Sequence, residues 1–400
     1  MKAHILIIAD GRSPTAQSWI KNIQSMDYSV SLISTFPCDP LVNLDHFHIL
    51  PIAFSRFSSG SSLKQSTSSK SRGRSIVSHF KPLFRKMRDY LGPLSLMLYK
   101  QRYQRLIEII RPDIVHALRI PFEGMLASYT PQGIPCLVAT WGNDLTLHAR
   151  RSFLMKHFTH RCLRRADGLS SDTMRDVRLA HTFGLDRTAP TLVVPGSGGL
   201  DLTAIQAASP DSYDEVLPNT GLQVVNPRGL RPGSVHQDVF FAAIPEVLSR
   251  RPECVFICPN LRGHHDVETW QKLYGGEEST FLLAKLTQHQ LWSLFKSSDV
   301  FVSPSSHDGT PNTLLEAMAC GCFPVAGDIE SVREWITHGV NGLLVNPRDP
   351  DALAQAILTA LDQSELRRRA ADLNLAVIQE RATSEATHPK IENFYAHFLE

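Results

Sequence analysis

Two carboxylates eight positions apart, Asp308 and Glu316, bracket the stretch of this chain in which chemistry is most legible. Between them runs Asp308-Gly309-Thr310-Pro311-Asn312, a turn that follows the apolar, strand-like run Val300-Phe301-Val302 and a Ser/Pro loop. The turn opens into a helix expected from about Thr313. Gly309 lets the backbone turn with no Cβ in the way, and Pro311 is tolerated near a helix start, where its missing NH would be orphaned anyway. The NH groups of the first helical turn then face outward at the positive end of the helix dipole, which suits a phosphate. A carboxylate beside a phosphate repels it, so Asp308 and Glu316 are better suited to accepting hydrogen bonds from hydroxyls, as on a ribose and a sugar. A plainer reading stays open: Thr313 and Glu316 form a capping box, and Asp308 an Asx turn.

Asp308, seven intervening residues and Glu316, followed by Ala317-Met318-Ala319-Cys320-Gly321-Cys322-Phe323-Pro324-Val325, resemble the donor-binding signature of the retaining glycosyltransferases of family 4. The turn Gly339-Val340-Asn341-Gly342 before Leu343-Leu344-Val345 is similar as well, and the likeness runs from about Leu222 to Leu361. The resemblance implies that Glu316 holds a nucleotide ribose, and that Asp308 with Gly309, Thr310, Pro311, Asn312 and Thr313 meets the donor sugar and phosphates. Family members more often carry Glu at the first position, so Asp308 reaches one methylene less far. Arg228, in Asn226-Pro227-Arg228-Gly229-Leu230-Arg231-Pro232, matches the family's pyrophosphate arginine. The lysine that should follow is replaced by Ser234, Val235 and His236, leaving Arg231 or His236 as substitutes. A leaving diphosphate gathers negative charge that fixed cations must stabilise; the plain alternative is an Arg pair serving solubility. Ala284-Lys285-Leu286 resembles the start of the nucleobase pocket, which makes Leu286 a donor-site residue. Trp141-Gly142-Asn143-Asp144 resembles the loop of a subset of the family in which others place a His against the donor sugar. Trp141 cannot act as an imidazole, so Asp144 is the catalytic candidate there, with helix capping as its structural alternative.

The elements that must position these residues read as alternating short apolar runs and helices. Ile5 to Ala9 has the continuous apolar character of a central parallel strand, and Asp10-Gly11-Arg12-Ser13-Pro14 turns from it into a helix bearing Trp19, Ile20 and Ile23. Gly11 faces a ligand if the carboxyl ends of these strands line a crevice, although no G-x-G-x-x-G dinucleotide fingerprint is present. Further strands are expected at Val30 to Ser34, His48 to Pro51, Pro112 to Ala117, Cys136 to Thr140, Leu169 to Asp172, Leu192 to Pro195, Leu222 to Val225, Cys254 to Cys258 and Thr280 to Leu283. Pro195-Gly196-Ser197-Gly198-Gly199-Leu200-Asp201 marks a hinge. The expected fold is α/β of the GT-B kind, two Rossmann-like domains facing across a cleft. An acceptor-binding domain spans 1–200, a nucleotide-sugar domain 201–375, and a C-terminal helix at 376–400 crosses back to the first domain.

Four hundred residues, 42% of them hydrophobic, suffice for two cores. A net charge of +2 gives no general case for nucleic-acid affinity. Seven cysteines form no C-x-x-C pair and no zinc-spaced set, and no metal cluster is apparent, which points to a reduced, cytosolic chain without a metal. The N-terminal apolar run is too short for a signal sequence, and nothing approaches a membrane span, so a protein that is soluble or peripheral on the inner membrane face is expected. Stretch 56–105 carries about a dozen Lys/Arg against one acid, Asp89. It suits an anionic lipid surface or an anionic acceptor; the alternative is a solvated loop leading to a helix whose Leu91 to Leu98 pack inside. No nucleic-acid module accompanies the charge.

The resemblance implies a hexosyltransferase-type enzyme that moves a sugar from a nucleoside diphosphate sugar to a hydroxyl of a glycan, glycolipid or small molecule, with retention and without a cofactor. No carboxylate stands out as a covalent nucleophile, which favours front-face displacement. A nucleotide-sugar epimerase or hydrolase on the same fold, or a non-catalytic sugar-nucleotide binder, stays open beside it.

Overall fold

A computed structural model describes residues 2–41, 43–53, 55, 74–209 and 221–399, with the backbone alone over 74–87. The part of the basic stretch 56–105 up to residue 73 lies outside the described residues, as do residues 210–220. The chain divides into two compact units, Met1–Gly198 with His388–Glu400, and Gly199–Thr387.

In the first unit seven strands, β1 (Ala3–Ala9), β2 (Tyr28–Ser34), β3 (Phe47–Ile49), β4 (Ile114–Ala117), β5 (Cys136–Thr140), β6 (Gly168–Ser171) and β7 (Thr191–Val193), form one sheet in the order β3-β2-β1-β4-β5-β6-β7. Every pairing is parallel. A parallel sheet is covered on both faces, and β1 shows the two-residue alternation this requires. Ile5 and Ile7 pack with Trp19, Ile20 and Ile23 of the helix Pro14–Ser25, whereas Leu6 and Ile8 pack with Leu96, Tyr103 and Ile107 of the helix Arg74–Ile110. Ser13 caps the first of these helices, its hydroxyl accepting from Ala16 N, with Pro14 at the first helical position.

The second unit repeats the plan with β8 (Gln223–Val225), β9 (Val255–Cys258), β10 (Thr280–Leu282), β11 (Val300–Ser303), β12 (Phe323–Gly327) and β13 (Leu343–Val345) in the order β10-β9-β8-β11-β12-β13. All pairs are parallel here too. Val300 and Val302 join one core layer and Phe301 the other. In each sheet the order reverses beside the first strand, between β1 and β4 and between β8 and β11; such switch points leave a crevice at the carboxyl ends. The units divide at Gly198 and Gly199, with φ of 87° and 127°. A Cβ on Gly199 would lie 2.5 Å from Thr387 Oγ1 and 2.9 Å from the backbone of Ser384, so only glycine fits there.

Two local expectations change. The 37-residue helix Arg74–Ile110 includes Leu91 to Leu98, but of the large apolar residues in that stretch only Leu96 enters the core; Leu91, Leu94, Met97 and Leu98 are exposed. Leu96 sits two positions, about 200° of helical rotation, from Leu94 and Leu98, so a single core face cannot take all three. The last helix runs Ser384–Ala396, and its residues from His388 on belong to the first unit. Among the described residues no helix is long and apolar enough to cross a membrane, and all seven cysteines are free.

Tyr395 on that last helix is fully buried, where its hydroxyl accepts from Trp19 Nε1 (3.1 Å) and meets His116 Nδ1 (2.7 Å). His116 Nε2 lies 3.0 Å from Ser170 Oγ. Burial lowers the His116 pKa to about 3, so a neutral imidazole accepts from Tyr395 and donates to Ser170. Tyr395→Phe strands two buried polar atoms and is expected to cost about 2 kcal/mol, read as a lower urea midpoint for the first unit; an unchanged midpoint would show that the network carries no stability.

Candidate active site

The site of the second unit is built at the carboxyl ends of β8 and β11. Beyond Val225, buried Asn226 donates from Nδ2 to Gln237 Oε1 (2.6 Å) and accepts from Arg228 N (3.2 Å). Gln237 Nε2 donates in turn to the Arg228 carbonyl. This clamp aims Arg228, 5% exposed, at the start of the helix Asn312–Ala319, where its guanidinium donates to the Asp308 carboxylate and, from Nη1, to Thr313 Oγ1 at 3.2 Å. Two residues singled out separately in the sequence are therefore partners of each other, from loops 80 positions apart.

The loop that carries Asp308 is held from three sides. Ser306 N donates to the Ser234 carbonyl (2.8 Å), Ser234 Oγ donates to the His307 carbonyl, and Ser331 Oγ donates to the Asp308 carbonyl (2.7 Å). Thr310 is buried and accepts from Trp335 Nε1 at 2.8 Å. His236 pairs its Nε2 with Ser306 Oγ (2.8 Å), and burial lowers its pKa, so it props the loop as a neutral ring. The helix begins at Asn312 with Pro311 as its cap residue, which offers no side-chain hydrogen bond to the first turn. The Thr313–Glu316 capping box is thus absent: Thr313 serves Arg228, and Glu316 turns inward. An open hollow of about 170 Å³ lies here, lined by Pro227, Arg228, Gly229, Leu230, Arg231, Asn260 and Thr313. Arg231 is exposed at its rim.

Glu316 is buried, and Gln288 Nε2 donates to its Oε1 at 2.8 Å. Burial pushes its carboxyl up to about 7, against the opposing pull of Gln288 and the Trp292 indole. Leu286, half-buried, packs on the same core layer, two residues before Gln288.

Gly11 and Asp144 belong to the first unit. Gly11 N donates to Ser34 Oγ (3.1 Å), and a Cβ there would lie 2.6 Å from Cys38 Sγ, so the glycine answers a packing need between β1 and β2. Asp144 is not open to a sugar. Its side chain is wholly buried, accepting from Arg119 Nε (2.9 Å), Ile120 N (3.3 Å) and Trp141 N (3.2 Å). Burial raises its pKa against the pull of Arg119. It ties the Trp141 loop to the end of β4 and caps no following helix. Sequence reasoning missed Asn226, Gln237, Gln288, Ser331 and Trp335; each is an ordinary polar or aromatic residue whose role comes only from its partner. Among the described residues no His, Cys, Asp and Glu side chains gather to hold a metal ion.

Taken together, two Rossmann-like units, one of them with an anion-suited helix start at a switch point, define the GT-B fold. Sucrose-phosphate synthase from Thermosynechococcus elongatus superposes on 99% of the chain and 99% of its own, with a TM-score of 0.72 at 14% identity. The Anabaena protein HepE, solved with UDP-glucose, covers 98% of this chain and 99% of its own at a TM-score of 0.68 and 16% identity. Residues 236–373 match the family model of glycosyl transferases group 1, and residues 41–173 that of the glycosyl transferase 4-like proteins. The O-antigen chain mannosyltransferase B of Escherichia coli is 31% identical over 122 residues, 30% of this chain and 32% of that protein. The chain spans about a third of the length of the first curated relatives it matches. The two matched stretches, one in each unit, are thus similar to glycosyl transferases group 1 and to glycosyl transferase 4-like proteins.

Glu316 sets a pH dependence whose sign is fixed by its raised pKa. Between pH 4.5, where an exposed glutamate titrates, and about 7, the folded chain keeps a proton that the unfolded chain has released. Stability therefore falls as pH rises through this window, by up to about 3 kcal/mol. Glu316→Gln removes the cost: its thermal midpoint is expected to exceed wild type at pH 8 and to match it near pH 4.5. Asp144→Ala strands Arg119 and is expected to cost about 3 kcal/mol in denaturant titration, with nucleotide affinity in calorimetry unchanged.

Proposed function

We propose that this chain is a retaining glycosyltransferase that takes a sugar from a nucleoside diphosphate sugar and delivers it to a hydroxyl of a glycan, glycolipid or small-molecule acceptor. The observation that carries this reading is the joining of Arg228, Asp308 and Thr313 at an uncapped helix start, with Glu316 one turn further along. Arg228 and the first-turn NH groups of Asn312 and Thr313 supply fixed positive charge where a leaving diphosphate becomes most negative. Arg228 is held before any donor arrives, so it needs little rearrangement during reaction. Asp308 and the Gly309–Thr313 backbone are suited to the hydroxyls and phosphates of the donor, and Glu316 to a ribose diol, which a carboxylate accepts from and a protonated acid serves less well. Arg231, exposed and lining the same hollow as Arg228, takes over the place of the absent lysine. HepE was solved with UDP-glucose, which favours a uridine nucleotide for this chain too. With Asp144 closed off, displacement on the front face, assisted by the leaving phosphate, accounts for retention without an enzyme nucleophile. A compartment that keeps thiols reduced, such as the cytoplasm, suits seven unpaired cysteines.

Calorimetry against UDP, GDP and ADP sugars identifies the donor, and the anomeric proton coupling of the transferred sugar reports retention. Glu316→Ala is expected to weaken donor binding about tenfold or more, while Arg228→Lys, which keeps the charge but loses the fork, is expected to lower kcat about a hundredfold. Wild-type turnover and affinity in Glu316→Ala would reject the assignment, and free sugar or an epimer formed without acceptor would replace transfer with hydrolysis or epimerisation.

A further inference from the structure

The helix Arg74–Ile110 has two apolar sides. Leu96, Tyr103, Ile107 and Ile110 lie in the core, while Tyr90 (55% exposed), Leu91, Leu94, Met97 (61%) and Leu98 (84%) stand in water. The exposed residues recur at i, i+1, i+4, i+7 and i+8, which puts them in one stripe on the side away from Leu96. Ser152 Oγ donates to the Asp89 carbonyl (2.7 Å) and so brings Phe153, 80% exposed at the start of the helix Phe153–Arg165, to the Tyr90 end of the stripe. A monomer seldom leaves contiguous apolar surface of this kind unless something covers it.

Charge says what the cover is. Exposed Arg102 and Arg105 follow the stripe on the next turns of the same helix, and exposed Arg150 and Lys156 flank Phe153. Asp89 is already paired with Arg151 Nη1 at 3.3 Å, and Glu108 stands further along the helix. Upstream, the sequence adds Lys81, Arg85 and Lys86 with no acid. Residues 56–73 hold only Phe57 and Leu63 as large apolar residues. We propose that this helix face, with Phe153, is a docking surface for an anionic lipid bilayer, its apolar stripe entering the headgroup boundary while the flanking Lys/Arg meet the anionic headgroups. Long basic side chains keep their charge at the headgroups while their stems lie along apolar surface. Apolar burial and electrostatic attraction then add, and only the second is screened by salt. The surface is independent of the donor chemistry.

The test is co-sedimentation of the full chain with vesicles of phosphatidylcholine alone or mixed with phosphatidylglycerol, at low and high salt. Wild type is expected to pellet several-fold more with the anionic vesicles, and salt to weaken this without abolishing it. Leu94→Glu with Leu98→Glu is expected to reduce partition at least about tenfold, with thermal midpoint and nucleotide affinity unchanged because neither residue touches the core or the site. Arg150→Glu with Lys156→Glu is expected to remove the salt-sensitive part. Equal pelleting by neutral vesicles, or wild-type partition in the Leu94/Leu98 variant, would overturn the proposal. So would sedimentation equilibrium showing a dimer that this variant dissociates, since a second copy would then cover the stripe.

Discussion

The bond between Arg228 and Asp308 is the constraint on which the site of the second unit depends. It joins the end of β8 to the loop after β11, and with Thr313 it sets where the helix Asn312–Ala319 begins. Burying a guanidinium costs free energy unless its protons find acceptors; here a carboxylate and a hydroxyl serve the two Nη atoms, while the buried Nε has no hydrogen-bond partner among the described residues. What the chain gains is position. The arginine that must meet an anion is locked beside the NH groups that must meet the same anion, with Asn226 and Gln237 holding the backbone behind it.

Glu316 follows a different logic. Its carboxyl is withdrawn from water and hydrogen-bonded through Gln288, and burial raises its pKa to about 7. A group poised there changes its protonation in response to small changes in its surroundings. Hydroxyls that donate to it favour the charged form, so a ligand with a diol and the proton compete for the same oxygens. Its buried state is a standing cost to the fold at neutral pH, which is the usual condition of a side chain kept for binding and not for packing.

The first unit shows the opposite use of polar groups. Asp144, Arg119, Glu123 and Thr35 engage one another beyond the ends of β2, β4 and β5: Arg119 donates to Asp144, and Thr35 Oγ1 donates to Glu123 Oε1 at 2.8 Å. Burial raises the pKa of Glu123 as it does that of Asp144. These carboxylates brace loops from inside. An acid in a loop at a strand end reads alike in the sequence whether it faces a sugar or a neighbouring arginine, and burial separates the two cases.

Local chemistry was legible without coordinates because it depends on neighbours along the chain. Apolar runs alternating with amphipathic segments set the parallel sheets, Ser13-Pro14 set a helix start, Gly198-Gly199 marked the junction of the units, and Asp308 to Glu316 marked the anion-suited turn. The tertiary structure alone decided which polar groups spend their hydrogen bonds on each other. The Arg228–Asp308 pair, the inward turn of Glu316 toward Gln288, the enclosure of Asp144 by Arg119, and the outward stripe from Tyr90 to Leu98 all rest on contacts or burial set by residues far apart in the chain. Periodicity tells that a helix has apolar faces; only the packed sheet determines which of them it takes.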